Sequence, residues 1–306
     1  QVATTDATGL YAFDGWSPGS YTVRVVNSTV LSSRAGAGAS NLGVQTFRTV
    51  ATTGVAVADA ARVGGEAPQL ADANANVSNQ ALATLTTGSA TPQSIAPVTL
   101  AATNIPGVDF GYNFDTIVNA NDAGAGSLRQ FLANAAGLAN TGLAQSGQTA
   151  GVEASIFMVS DGLTHPGLQA GLVNLLTGGV VRVSVLSNLP WFTDAATKLD
   201  GTTQATNVGD TNAGTLGAGG IVGAASLALA TVPRPEVEIV DAASLAIGLD
   251  VQSASTTVRG IAISGFGNAT SNTAHADIRL NASATSAVLN QLIVGASATA
   301  FSDPGA

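Results

Sequence analysis

The chain has 306 residues, of which 45% are hydrophobic and only 9% charged, with a net charge of −9 and no cysteine. Mean hydropathy is +0.33 and the isoelectric point about 4.4. This excludes a disordered polar chain, since disorder pairs low hydrophobicity with high charge. It excludes disulfide, thiolate and Cys-ligated zinc chemistry. It also argues against a nucleic-acid binder, which needs clustered Lys and Arg.

The excess of Ala, Gly, Thr, Ser, Val and Asn, with few Lys and Glu, fits strands and turns better than exposed helices. An all-β chain is expected. No signal peptide is visible at the start, and no uncharged apolar run is long enough for a membrane span; the nearest, Gly217 to Val232, is short and dominated by Gly and Ala.

In chain order, residues 1–27 read as a hairpin. Leu10 to Phe13 is one short strand, Asp14-Gly15 and Pro18-Gly19 are turn pairs, and Tyr21, Val23 and Val25 alternate with polar neighbours. Residues 28–111 read as irregular β structure joining two modules. Leu42, Val44 and Phe47, then 98–100 and 108–112, are its strand-like pieces. Residues 127–137 carry one helix: Ser127 and Gln130 fit a capping box, Leu128, Phe131, Leu132 and Ala135 share a face, and Gly137 can end it. From about 153 onward, short strand-like segments fall at 154–159, 180–186, 237–240, 249–251, 257–263, 277–280 and 288–294. Val258 to Gly265 aligns with Val288 to Gly295, matching Ile263 to Ile293; Leu249 and Val251 align with Ile278 and Leu280.

Two resemblances follow from these residues. Residues 5–13 with Pro18 to Val23 resemble the end of an SdrD B-like (Cna B-type) domain, a β-sandwich stalk module of bacterial surface proteins. Asn119 to Asp122 with Gly126 to Gln130 resembles the start of a family of bacterial cell-surface β-helix proteins. Leu189-Pro190, Leu199 to Gln204, Val258 to Phe266 and Val294-Gly295 continue that pattern. The resemblances imply a right-handed parallel β-helix (solenoid) over 112–306 with a capping helix at 127–137, preceded by a β-sandwich-like hairpin over 1–27. They also imply an extracellular or cell-surface location.

The functional expectation is a non-catalytic structural protein of the bacterial surface: a stalk, an adhesin scaffold or an extracellular filament subunit. The alternative is a carbohydrate-binding or carbohydrate-cleaving β-helix of the polysaccharide lyase type. Glycoside cleavage needs carboxylates facing one cleft. The candidates are Asp194, Lys198, Asp200, Glu236, Glu238, Asp241, Asp250, Arg259, Asp277 and Arg279, which read more simply as turn and surface charges. Asp72, Asn74 and Asn76 alternate like calcium ligands but lack the rest of an EF-hand loop. Gly124-Ala125-Gly126 could cradle an anion, though a capped helix start is the simpler reading.

His165 and His275 have no partner at metal spacing, and Trp16 and Trp191 are single aromatics beside turns. Asn27, Asn76, Asn268 and Asn281 open glycosylation sequons. No catalytic residue, cofactor or metal is assigned. The partners expected are copies of the same chain joined head-to-tail and surface carbohydrate, with no nucleic acid and no membrane span. The head-to-tail expectation comes from the two ends: the hairpin needs more strands, and the last coil has no cover; the simpler expectation is a fragment whose missing strands its own further sequence supplies.

Overall fold

The structure, a computed structural model, describes residues 1–70, 94–216, 221–228, 231–267 and 274–300. It is mostly strand. The first strand, β1 (Gly19–Arg24), is followed by β2 (Val44–Val50), β3 (Val57–Asp59), β4 (Ile95–Leu100) and β5 (Phe110–Asn113). These pair antiparallel as β1 with β4 and as the three-stranded order β3-β2-β5. The expected hairpin over 1–27 is therefore corrected. Residues 10–13 form no strand, and β1 finds its partner in β4, far along the same chain. A two-residue turn at Pro18-Gly19 is locally favourable, but the longer ladder with Ile95 to Leu100 offers more backbone bonds.

Then come β6 (Thr116–Ile117), α1 (Leu128–Gly137), β7 (Glu153–Ala154), β8 (Ile156–Phe157), β9 (Val181–Val185), β10 (Thr197–Asp200) and α2 (Thr202–Asn207). Two short antiparallel pairs follow, made by β11 (Thr215–Leu216), β12 (Ile221–Val222), β13 (Leu227–Ala228) and β14 (Val232–Pro233). The last strands are β15 (Val237–Asp241), β16 (Ile247–Val251), β17 (Thr257–Arg259), β18 (Ile261–Ser264), β19 (Ala276–Leu280), β20 (Val288–Asn290) and β21 (Ile293–Val294). Four parallel ladders run through this half: β6-β8, β7-β10-β17-β20, β9-β15-β18-β21 and β16-β19.

The parallel β-helix expected over 112–306 is not the architecture found. Among the described residues the sheets are small and separate, parallel and antiparallel sheets are mixed, and none forms a solenoid. The physical reason is local. Turns stop each strand in this half after two to five residues, and the antiparallel pairs β11-β14 and β12-β13 stand between β10 and β15. The strand positions read from the sequence are largely present; the closed architecture drawn from the resemblance is not.

Alternation explains how the core forms. In β9, Val181, Val183 and Val185 are buried while Arg182 and Ser184 face out. Ile239 of β15 lies between Val183 and Ile263 on its two neighbours, and all three are buried. These residues share one core with Leu199, Leu249, Val251, Val258, Phe157 and Ile117. The apolar face of α1 (Leu128, Phe131 and Leu132) packs into the same core. Ser127 caps α1: its hydroxyl accepts from Gln130 N at 3.1 Å and donates to Gly124 O at 2.7 Å. Only half of the capping box forms, because Ser127 N donates to Gly124 O at 3.1 Å instead of to Gln130, whose Nε2 donates to Ser40 O and Asn134 Oδ1.

One register expectation holds and another fails. Leu249 pairs with Ile278 and Val251 with Leu280, as aligned. Ile263, however, stands beside Val294, and Ile293 stands beside Ala262. Ile293 is buried in a separate cluster with Val180, Ala262 and Ala298, on the opposite face from Ile263. A slip of one residue turns a side chain to the other face. The turn between strands marks the true register: Gly260 (φ 64°) and Gln291 (φ 54°) occupy equivalent left-handed positions. Ser255 and Ser286, also left-handed, keep the same spacing.

Candidate functional site

The ten charged candidates do not converge on one cleft. Five of them, Asp200, Glu238, Asp250, Arg259 and Arg279, pair neighbouring strands. Arg182 and Glu238 face each other directly across β9 and β15, with Nε 3.7 Å from Oε2. Asp200 faces Arg259 across β10 and β17, with Nε donating to Oδ1 at 2.8 Å. Asp250 faces Arg279 across β16 and β19; Nε donates at 3.1 Å and Nη2 donates to the second oxygen. Asp250 also accepts from Asn281 Nδ2 and Gln252 Nε2, both at 2.8 Å.

Lys198 lies 3.0 Å from Asp200 Oδ2, and the Thr202 hydroxyl donates to Oδ1 at 2.6 Å. Burial works to raise the Asp200 carboxyl, but the bonds from Arg259, Thr202 and Lys198 outweigh it and hold it below the usual value. The other candidates fix loops. Glu236 accepts from the Thr211 hydroxyl at 2.7 Å and from Thr211 N and Asn212 N; burial raises its carboxyl, and neighbouring Asp210 adds to this. Asp241 accepts from Ala243 N and Leu245 N at 2.8 Å. Asp277 accepts from Phe266 N at 3.0 Å and is raised, chiefly by burial.

His165 Nε2 meets Asp161 Oδ1 at 2.8 Å, and His275 Nδ1 is buried without a partner. Trp16 packs edge-on against Tyr21, with ring centroids 4.4 Å apart, while Trp191 is exposed. The turn at 124–126 is a helix start: Gly124 O receives Ser127, and Gly126 O receives Val118 N and Asn119 N. Of the sequons, Asn27 is buried and Asn281 is bonded to Asp250. Asp72, Asn74, Asn76 and Asn268 lie outside the described residues.

A dense polar constellation among the described residues includes only one of those ten candidates, Asp194. Arg34 Nη1 donates to Asp115 Oδ1 at 3.1 Å and to Glu153 Oε1 at 2.6 Å. Its Nε donates to Ala139 O at 3.0 Å, and its Nη2 to Leu138 O at 3.1 Å and Asn140 Oδ1 at 2.6 Å. Gln145 Nε2 donates to Asp115 Oδ2 at 2.6 Å, and Asn140 Nδ2 to Asp194 Oδ2 at 2.5 Å. Two carboxylates thus meet one guanidinium. Glu153 is fully buried, and its Oε2 has no hydrogen-bond partner.

Burial pushes the Glu153 carboxyl up to about 8; Asp115 pushes in the same direction, and Arg34 offsets only part. Asp194 is raised too, chiefly by burial. Beside the cluster lies a cleft of about 580 Å³, lined among others by Leu31, Arg34, Tyr112, Asp115, Thr141 and Leu143. None of the ten sequence candidates lines it.

Chemically, the cluster ties separate segments together around a buried carboxyl whose hold on a proton is raised. The donors of Arg34 are engaged with protein acceptors, and Glu153 is sealed from solvent. No helix among the described residues is long and apolar enough to cross a membrane, and no group of three or more His, Cys, Asp or Glu among them could hold a metal. The class that fold and constellation define is therefore broad: a strand-rich protein in which several charges pair across neighbouring strands. No family model, curated protein or solved structure matches the chain.

Proposed function

We propose that the chain is a non-catalytic structural part of a bacterial extracellular or cell-surface protein, serving as a stalk, adhesin scaffold or filament subunit. The observation that carries this reading is the use of charge: Arg182–Glu238, Asp200–Arg259 and Asp250–Arg279 each tie adjacent strands rather than facing a substrate. The likeness of residues 5–13 and 18–23 to stalk modules of bacterial surface proteins supports the same reading. Joining of copies head-to-tail belongs to this proposal. Leu280, Leu289 and Val294 on β19 to β21 are exposed apolar side chains available to such a contact.

A carbohydrate-binding role is the second reading. Its support is the cleft of about 580 Å³, where Tyr112 offers a ring and Arg34 and Asp115 balance in charge. Titration calorimetry and release of new reducing ends, over a panel of neutral and acidic polysaccharides, separate the two. The structural reading expects no turnover. Saturable binding lost on filling the cleft with Ala144→Trp favours the second reading, and turnover overturns the first.

A further inference from the structure

Residues 34–42 run across α1 and are tied to it by a series of hydrogen bonds. Ala139 N donates to Ala35 O at 2.8 Å, Gln130 Nε2 to Ser40 O at 2.8 Å, and Asn134 Nδ2 to Leu42 O at 3.0 Å. Gly36, at φ 88°, lies so close to α1 that a Cβ there would stand 2.2 Å from Gly137 O. At one end of this strap Arg34 makes the five bonds described above, bridging α1's exit, the start of β6 and β7. The strap thus depends on one guanidinium that faces two buried carboxylates, and one positive charge cannot neutralise both. No donor reaches Glu153 Oε2, and a buried oxygen without a donor is best accommodated by carrying a proton itself.

We propose that residues 34–42 form a proton-dependent clasp on α1, closed while Glu153, beside Asp115, retains its proton and increasingly released as that proton is lost. The charged groups facing the pair are Arg34 from the strap, Asp115 ahead of β6, Glu153 on β7, and Asp194 through Asn140. Lys198 on the adjacent β10 is turned to Asp200. In the closed form Glu153 keeps its proton up to about pH 8, whereas released into water it would lose it near the ordinary glutamate value of 4.5. Closure is thus fully supported below that lower value. The support falls as pH rises through the window and is gone above about 8, by up to about tenfold in the opening equilibrium per pH unit. Release would uncover Gln130, Asn134 and the carbonyls of Leu138 and Ala139, and would widen the neighbouring cleft.

The bond after Arg34 is a trypsin site, which gives a direct readout. Cleavage at Arg34, followed by mass spectrometry and normalised to an unstructured arginine peptide, is measured at pH 6 and pH 8. At least a tenfold rise is expected for the native chain, with cleavage at Arg259 unchanged. Glu153→Gln, which cannot ionise, should be cut equally at both values. A flat native profile, or a rise retained in Glu153→Gln, overturns the clasp. Should that variant fail to fold, amide exchange of the native chain decides: corrected exchange in residues 128–137 must rise with pH while that of 237–241 stays level, and a level profile in both refutes the proposal.

Discussion

Ile239→Ala tests how the core is held. Ile239 is fully buried at the middle of β15, with Val183 on one flank and Ile263 on the other. The substitution removes three carbons, at about 0.8 kcal/mol per buried methylene, or about 2.4 kcal/mol. Both neighbours are fixed by parallel ladders, so the gap collapses poorly, and a residual void of about 60 Å³ adds about 1.5 kcal/mol. The expected loss is about 4 kcal/mol, read from urea unfolding as a lower midpoint at unchanged slope. The matched control is Leu289→Ala on β20, whose side chain is 43% exposed; it should cost less than about 1 kcal/mol. Equal losses for the two variants, or a loss under about 1.5 kcal/mol for Ile239→Ala, would refute a core centred on β15.

Two further substitutions follow from the same geometry. Ser127→Ala removes the cap acceptor of α1 and should cost about 1 to 2 kcal/mol in urea unfolding, with Ser127→Asp recovering part. Gly201→Ala would place a Cβ 2.2 Å from Gly260 O, a backbone atom that cannot swing aside; it should cost at least about 1 to 3 kcal/mol and loosen amide protection in 197–200 and 257–259.

The sequence carried local structure well. The spacing of Leu128, Phe131 and Leu132 located α1, and the short strand-like segments at 180–186, 237–240 and 249–251 fall on β9, β15 and β16. Long-range pairing was less legible. β1 reads as half of a hairpin because its partner, β4, is remote, and nothing local to Gly19 to Arg24 distinguishes the two. The register between β18 and β21 was missed by one residue because two isoleucines were matched; aligning the left-handed turn residues Gly260 and Gln291 places it correctly.

The Arg34 cluster was invisible for a related reason. Its members sit at 34, 115, 140, 145, 153 and 194, on separate segments with no shared motif. The available signal was scarcity: in a chain with 9% charged residues, Asp115 before Thr116-Ile117 and Glu153 before Ala154 stand out beside buried strands.

The central claim is that strand-borne charges hold the ladders together instead of serving a substrate. A double-mutant cycle on Asp200 and Arg259 tests it most directly. Asp200 also accepts from Thr202 and pairs with Lys198, partners that remain to its carboxylate in Arg259→Ala, so Asp200→Ala should cost more than Arg259→Ala. The expected coupling is stabilising and about 1 to 2 kcal/mol, between the values typical of exposed and buried pairs. A coupling of zero, with both single variants as stable as the native chain and polysaccharide binding or turnover lost instead, would contradict the claim.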